Sequence, residues 1–134
     1  IESVAYLTDQ LQATAAYTYT DSVTRNTATN ADAVRAPLIP RNMASVWLDY
    51  TFENAAPGLK VGGGIRYNGE SEDGDIEVPS YTVLDLMARY DFGTNWQAQF
   101  NVSNATDEEY VASCDYWCYY GAARQLQLSI QRRW

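Results

Sequence analysis

Apolar and polar positions alternate with a period of two along most of the chain. In the clearest run Leu11, Ala13, Ala15, Tyr17 and Tyr19 oppose Gln12, Thr14, Ala16, Thr18 and Thr20. Successive side chains of a strand point to opposite faces, so this run predicts an extended segment with one apolar and one polar face. The same pattern returns with Ala44, Val46, Leu48, Tyr50 and Phe52 against Ser45, Trp47, Asp49 and Thr51. It returns again with Leu59, Val61, Gly63, Ile65 and Tyr67 against Lys60, Gly62, Gly64, Arg66 and Asn68. A fifth run sets Leu84, Leu86, Ala88, Tyr90 and Phe92 against Asp85, Met87, Arg89 and Asp91, and a sixth sets Trp96, Ala98, Phe100 and Val102 against Gln97, Gln99, Asn101 and Ser103. The last places Leu126, Leu128, Ile130 and Trp134 opposite Gln125, Gln127, Ser129 and Arg133, with Arg132 interrupting its apolar side. A first run, near Ser3 to Thr8, is short and its faces are ambiguous. Seven antiparallel strands and an all-β fold are expected.

The connections fall into two classes. Asp9-Gln10, Glu53 to Gly58 and Gly93 to Asn95 are short, whereas the stretches after Asp21, Asn68 and Asn104 are long and polar. A soluble sandwich also alternates, so period two alone does not choose the solvent. The aromatics do. Tyr50, Phe52, Tyr90, Phe92, Trp96 and Trp134 collect at the short-turn end, and Tyr17, Tyr19 and Tyr67 at the long-loop end. Two aromatic margins with aliphatic and small residues between them are what the interfacial girdles of a transmembrane β-barrel predict, with aromatic cross-strand pairs in a soluble sheet as the alternative. Its other face, carrying Asp49, Lys60, Arg66, Asp85, Arg89, Gln97, Gln99 and Asn101, would line a hydrated lumen; on a soluble sheet the same residues would simply meet water. Short periplasmic turns and long external loops place the chain's last strand end on the periplasmic side. Bacterial single-chain barrels close with an even number of strands, and open edges in lipid leave backbone groups unpaired. Seven strands therefore suggest one piece of a larger barrel.

Composition narrows the chemistry. The chain has 134 residues, 11 of them Tyr, no His, and a formal charge of −8. That charge opposes a nucleic-acid partner, which needs a basic surface to neutralise phosphates. No stretch approaches the ~20 apolar residues of a spanning helix, and no basic-then-apolar leader opens the sequence. Without His, and with no serine or cysteine nucleophile beside a base, no catalytic constellation is expected. Cys114 and Cys118 are read as a local disulfide made in an oxidising compartment, with two unpaired buried thiols as the alternative. Lys60-Val61-Gly62-Gly63-Gly64 lacks the spacing of a phosphate loop, and its glycines suit close strand packing. The carboxylates Glu72, Asp73 and Asp75 between Glu70 and Glu77 read as a solvated acidic loop, with cation attraction as the second reading.

The segment Asn101-Val102-Ser103-Asn104-Ala105-Thr106-Asp107-Glu108-Glu109-Tyr110 resembles the C-terminal signature of TonB-dependent outer-membrane receptors, in which an asparagine-rich strand end precedes an acidic turn and a tyrosine. The continuation through Cys114-Asp115-Tyr116-Trp117-Cys118 to Gly121-Ala122-Ala123-Arg124 is similar to the last external loop of the ferrichrome and hydroxamate siderophore receptors of that family. Pro79-Ser80-Tyr81-Thr82-Val83-Leu84-Asp85 and Pro40-Arg41-Asn42-Met43-Ala44 look like the family's strand starts. The resemblance runs from about Leu7 to Trp134. Departures are the short cysteine loop, Ala105 where a bulky residue is usual, and Arg132 where the assembly signal is usually apolar or aromatic.

The resemblance implies a bacterial outer-membrane transporter of ferric siderophores in which a plug fills a barrel of about 22 strands. Residues 1–134 would be the C-terminal part of that barrel, with the plug and remaining strands outside it. Implied partners are the ferric siderophore as transported ligand, the rest of the parent receptor, the TonB complex through the plug, the assembly machinery through the C-terminal strand, and outer-membrane lipid; no cofactor is bound directly. Tyr116 and Trp117, held at a loop tip by the Cys114–Cys118 closure, are the candidate ligand contacts, with a self-packed or interfacial aromatic cluster as the alternative. A small self-contained barrel acting as channel, adhesin or structural protein is the competing function, and a soluble lipocalin-like binder is third.

Overall fold

The computed structural model describes residues 1–24, 34–73, 76–114 and 116–133. Its strands are β1 (Glu2–Tyr6), β2 (Leu11–Tyr19), β3 (Val23–Thr24), β4 (Val34–Arg35), β5 (Asn42–Thr51), β6 (Leu59–Asn68), β7 (Ser71–Asp73), β8 (Ile76–Val78), β9 (Tyr81–Phe92), β10 (Trp96–Ser103), β11 (Val111–Cys114), β12 (Cys118–Tyr120) and β13 (Gln125–Arg132). No helix occurs among the described residues. Strands β1, β2, β5, β6, β9, β10 and β13 form one seven-stranded sheet in that order. Every pairing within it is antiparallel, so the sheet is an up-and-down meander. Its outermost strands, β1 and β13, pair on one side only.

Register carries the alternation across the whole sheet. Ala5, Ala13, Leu48, Gly63, Leu86, Val102 and Leu126 form one transverse row, and every member is apolar or Gly. One residue along, Gln12, Asp49, Gly62, Met87, Asn101 and Gln127 form a row on the opposite face. A one-residue slip of any strand would exchange these faces. Exposure runs opposite to that of a water-soluble protein. Val46, Leu48 and Leu86 are 43%, 45% and 42% exposed, whereas the side chains of Asp49 and Asp85 are 14% and 17% exposed. Over the middle of the wall polar groups such as Asp49 and Asp85 occupy the sheltered side and aliphatic groups the open one, while Arg66 and Asp91, nearer its two ends, are 55% and 48% exposed. This is the arrangement a barrel wall takes between lumen and lipid.

The glycine run of β6 now has a cause. Trp47 lies flat over Gly62 and Gly64: a Cβ on Gly64 would come within 2.5 Å of Trp47 Cε3, and one on Gly62 within 2.9 Å of Trp47 Cζ2. The indole Nε1 donates to Asp49 Oδ1 at 2.9 Å, and Asp49 Oδ2 meets Lys60 Nζ at 3.3 Å. Gly64→Ala is expected to displace the indole and lower stability by ~1–3 kcal/mol, the usual range for overpacking. The urea midpoint of the refolded receptor measures this. In a Trp47→Ala background only part of that cost should be relieved, because the added Cβ still meets the backbone oxygen of Val46 after the ring is gone.

The structure differs from the sequence expectation in its short elements. The three long connections each contain a hairpin, β3–β4, β7–β8 and β11–β12, where only loop was expected. These strands are two to four residues long, too short for alternation to register. In β1, Val4 and Tyr6 pair with Thr14 and Gln12 and so fall on the polar face, leaving Ser3 and Ala5 in the apolar rows. Strand β9 begins at Tyr81, before the expected Leu84. Trp134 and Asp75 lie outside the described residues.

Candidate functional site

The six residues that are buried among those described lie in β7, β8, β9, β11, the Asn104 turn and the link from β6 to β7. They are Gly69, Ser71, Val78, Val83, Asn104 and Cys114, all at the long-connection end. Val83 shares its face with Asp85, Met87 and Arg89, so this small core sits on the polar side of the sheet. Strand β11 packs alongside β8, bringing the two later long connections together over that side. The first long connection joins them where Leu38 N donates to Glu72 O at 2.9 Å.

Asn104 organises the base of the last connection. Its backbone is left-handed, with φ 52°, a conformation Asn tolerates better than most residues. Its Nδ2 donates to Glu108 O at 2.9 Å and to Ala122 O at 3.1 Å, and its Oδ1 accepts from Glu108 N at 2.9 Å. Its own N–H donates to Asp85 Oδ1 at 3.0 Å, while Asp85 holds Arg66 through contacts of 2.5 and 3.2 Å. Asp107, also left-handed, accepts from Arg124 N at 2.7 Å. Both limbs of the connection are therefore clamped to each other and to β9.

Above the clamp, Tyr110 stacks on Tyr81 with ring centroids 4.0 Å apart and planes 24° apart. The Tyr81 hydroxyl accepts a hydrogen bond from Asn68 Nδ2. On its other side Tyr110 abuts Gly121, where any Cβ would enter the ring, and Gly121 N donates to Tyr110 O at 2.8 Å. A cleft of about 380 Å³ lies beside this stack between Glu108–Tyr110 and Tyr120–Gly121. Further out, Cys114 and Cys118 form the disulfide read from the sequence. Cys114 is 1% exposed, whereas Tyr116 and Trp117 are 93% and 77% exposed at the tip. The two candidate contact residues therefore stand clear of the cleft instead of lining it. Among the described residues, no three His, Cys, Asp or Glu side chains converge on a metal-sized site.

The aromatics expected at the short-turn margin are neighbours. Tyr50 and Phe52 meet edge to face at 4.8 Å, Tyr90 and Phe92 stack at 6.1 Å, and Phe92 and Trp96 at 6.3 Å. Arg132, a departure in the sequence pattern, places its guanidinium 5.5 Å from the Trp96 ring centroid, so its charge meets an aromatic face in the apolar row. At the opposite margin Tyr17 donates its hydroxyl to Asn42 Oδ1 at 2.8 Å, and Tyr17 and Tyr67 flank Ala44 in one row. Tyr19 lies just beyond, exposed.

Residues 2–105 match the family described as TonB dependent receptor-like, beta-barrel. The chain is 39% identical over 140 residues to the ferrioxamine B receptor of Salmonella typhimurium, covering 97% of this chain and 20% of that protein. It is 41% identical over 137 residues to the ferrichrome outer membrane transporter/phage receptor of Escherichia coli, covering 94% of this chain and 18% of that one. The structure of the ferripyoverdine receptor of the outer membrane of Pseudomonas aeruginosa, bound to ferripyoverdine, superposes with a TM-score of 0.76 at 27% identity, over 96% of this chain and 18% of that one. The chain thus spans about a fifth of the length of these relatives.

Proposed function

Because this chain belongs to the TonB-dependent receptor β-barrel family of the bacterial outer membrane, we propose that it supplies the last seven strands and last three external loops of a ferric-siderophore transporter. The remaining strands and the plug belong to the parent receptor outside residues 1–134. The plug engages the TonB complex, and β13 is the strand the assembly machinery reads. The observation that carries this reading is the inverted exposure of the sheet, apolar on the open face and polar on the sheltered one, in a sheet whose edges β1 and β13 stay unpaired with each other. A small self-contained barrel would close by pairing those edges. Tyr17, Tyr19, Tyr50, Phe52, Tyr67, Tyr90, Phe92 and Trp96 then sit at the two lipid headgroup levels.

The ligand is cargo, and no cofactor or catalytic role is proposed. Tyr116 and Trp117 contact the siderophore from the tip of the cysteine-closed loop, with their immobilisation shared by the disulfide and the loop base. The parent receptor, expressed in a receptor-deficient, iron-starved bacterium, is expected to restore growth on ferrioxamine B or ferrichrome. A folded receptor in the outer membrane that restores growth on neither, nor on pyoverdine, overturns the proposal. Trp117→Ala is expected to raise the half-saturating siderophore concentration about tenfold or more, since truncating a contacting aromatic commonly costs ~2 kcal/mol.

A further inference from the structure

Trp117 and Tyr116 can act as ligand contacts only if the hairpin that carries them keeps one place above the sheet. Their own exposure gives them no packing that would fix it. The restraint lies lower. On one limb, Tyr110 is inserted between the Tyr81 ring and Gly121, the only side chain length at 121 that leaves the ring in place. On the other limb, Gly121 N and Ala122 O are held by Tyr110 O and Asn104 Nδ2. Tyr81 is anchored in the wall through Asn68, and Asn104 through Asp85.

We propose that Tyr110 and Gly121 are positioning residues: they fix the 111–120 hairpin against the wall, so that ligand affinity at its tip depends on two residues at its base. This rests on the siderophore reading for the identity of the ligand, but not for the restraint itself. An unrestrained hairpin would have to be ordered at the moment of binding, and that entropy is subtracted from affinity. A ring held by stacking on one side and by a glycine on the other has a specific signature. Adding a methyl group at 121 should act first through the ring, whose atoms are the three nearest to the new Cβ.

The experiment uses the full receptor in outer membranes and four variants: Gly121→Ala, Tyr110→Ala, Tyr110→Phe and the Gly121→Ala/Tyr110→Ala double. Three quantities are read: heat-modifiable electrophoretic mobility for barrel integrity, the rate of chymotrypsin cleavage at Tyr116 and Trp117, and ferrioxamine B affinity. Gly121→Ala and Tyr110→Ala are each expected to speed cleavage and weaken affinity by about tenfold with mobility unchanged. Tyr110→Phe keeps the stack and should match the parent. In the double variant Gly121→Ala should add almost nothing, because the ring it would strike is absent. Unchanged cleavage in Gly121→Ala, or additive effects in the double, overturns the proposal. Cleavage that responds as expected in a receptor that binds no ferrioxamine B supports the positioning role and counts against the siderophore reading instead.

Discussion

Leu86→Arg is expected to keep the receptor from assembling, while Met87→Arg, one residue along the same strand, is expected to be tolerated. Leu86 occupies the middle of the all-apolar row, flanked by Gly63 and Val102, and its side chain is on the open face. A guanidinium there must enter hydrocarbon, at a cost of ~2–4 kcal/mol near the bilayer midplane. Met87 points to the sheltered face between Gly62 and Asn101, where water and polar neighbours solvate a charge. The check is twofold: the fraction of protein with folded, heat-modifiable mobility in outer membranes, and the urea midpoint after refolding into lipid vesicles. A soluble sheet, or a sheet with its faces assigned the wrong way round, would reverse or erase the difference between the two variants.

Asn104→Ala carries the second largest expected effect, a loss of about 3 kcal/mol in stability, because two penalties act together. The left-handed backbone at φ 52° disfavours a Cβ that has no local hydrogen bond to offset it. The buried amide also leaves Glu108 N, Glu108 O and Ala122 O without their partner. Asn104→Gly removes the backbone penalty and keeps the hydrogen-bond loss, so it should fall between the parent and Asn104→Ala. Urea midpoints for the three proteins give the order directly. If the alanine and glycine variants coincide, the backbone contributes nothing; if both match the parent, the clamp is not a stabilising element.

Six of the seven strands of the wall could be read from the sequence because each spans eight or more residues with two chemically distinct faces. For β6 and β10, the alternating runs and the observed strands share their bounds. β1 resisted because Ser3 and Ala5 are small and Val4 and Tyr6 stand on the polar side, so neither face declares itself. The loop hairpins were invisible for a different reason. Each pairs within its own hairpin over two to four residues, too few for alternation to register, and where β11 lies beside β8 the contact joins segments more than thirty residues apart that no local pattern encodes. The site divides the same way. Cys114 and Cys118 stand out by residue type, and Tyr116 and Trp117 through the family resemblance; the structure joins the cysteines and exposes the aromatics. Tyr81 and Tyr110, by contrast, become partners only through the fold. Asn104 did leave a trace: an Asn ahead of an acidic turn is a residue suited to φ > 0, and that cue pointed to a turn without disclosing its three side-chain bonds.

The polar wall has an electrical consequence. Its cations do not stand alone: Lys60 faces Asp49 at 3.3 Å, Arg66 faces Asp85 at 2.5 Å, and Arg89 faces Asp91 at 3.8 Å. Each pair presents a dipole in place of a monopole, and the field of a dipole decays faster with distance than that of an isolated charge. A charged solute moving past this surface would meet shallow, short-range ripples of both signs and no deep well in which to lodge. Replacing any one of these carboxylates with its amide would leave an unbalanced cation and convert part of that smooth surface into a trap for anions.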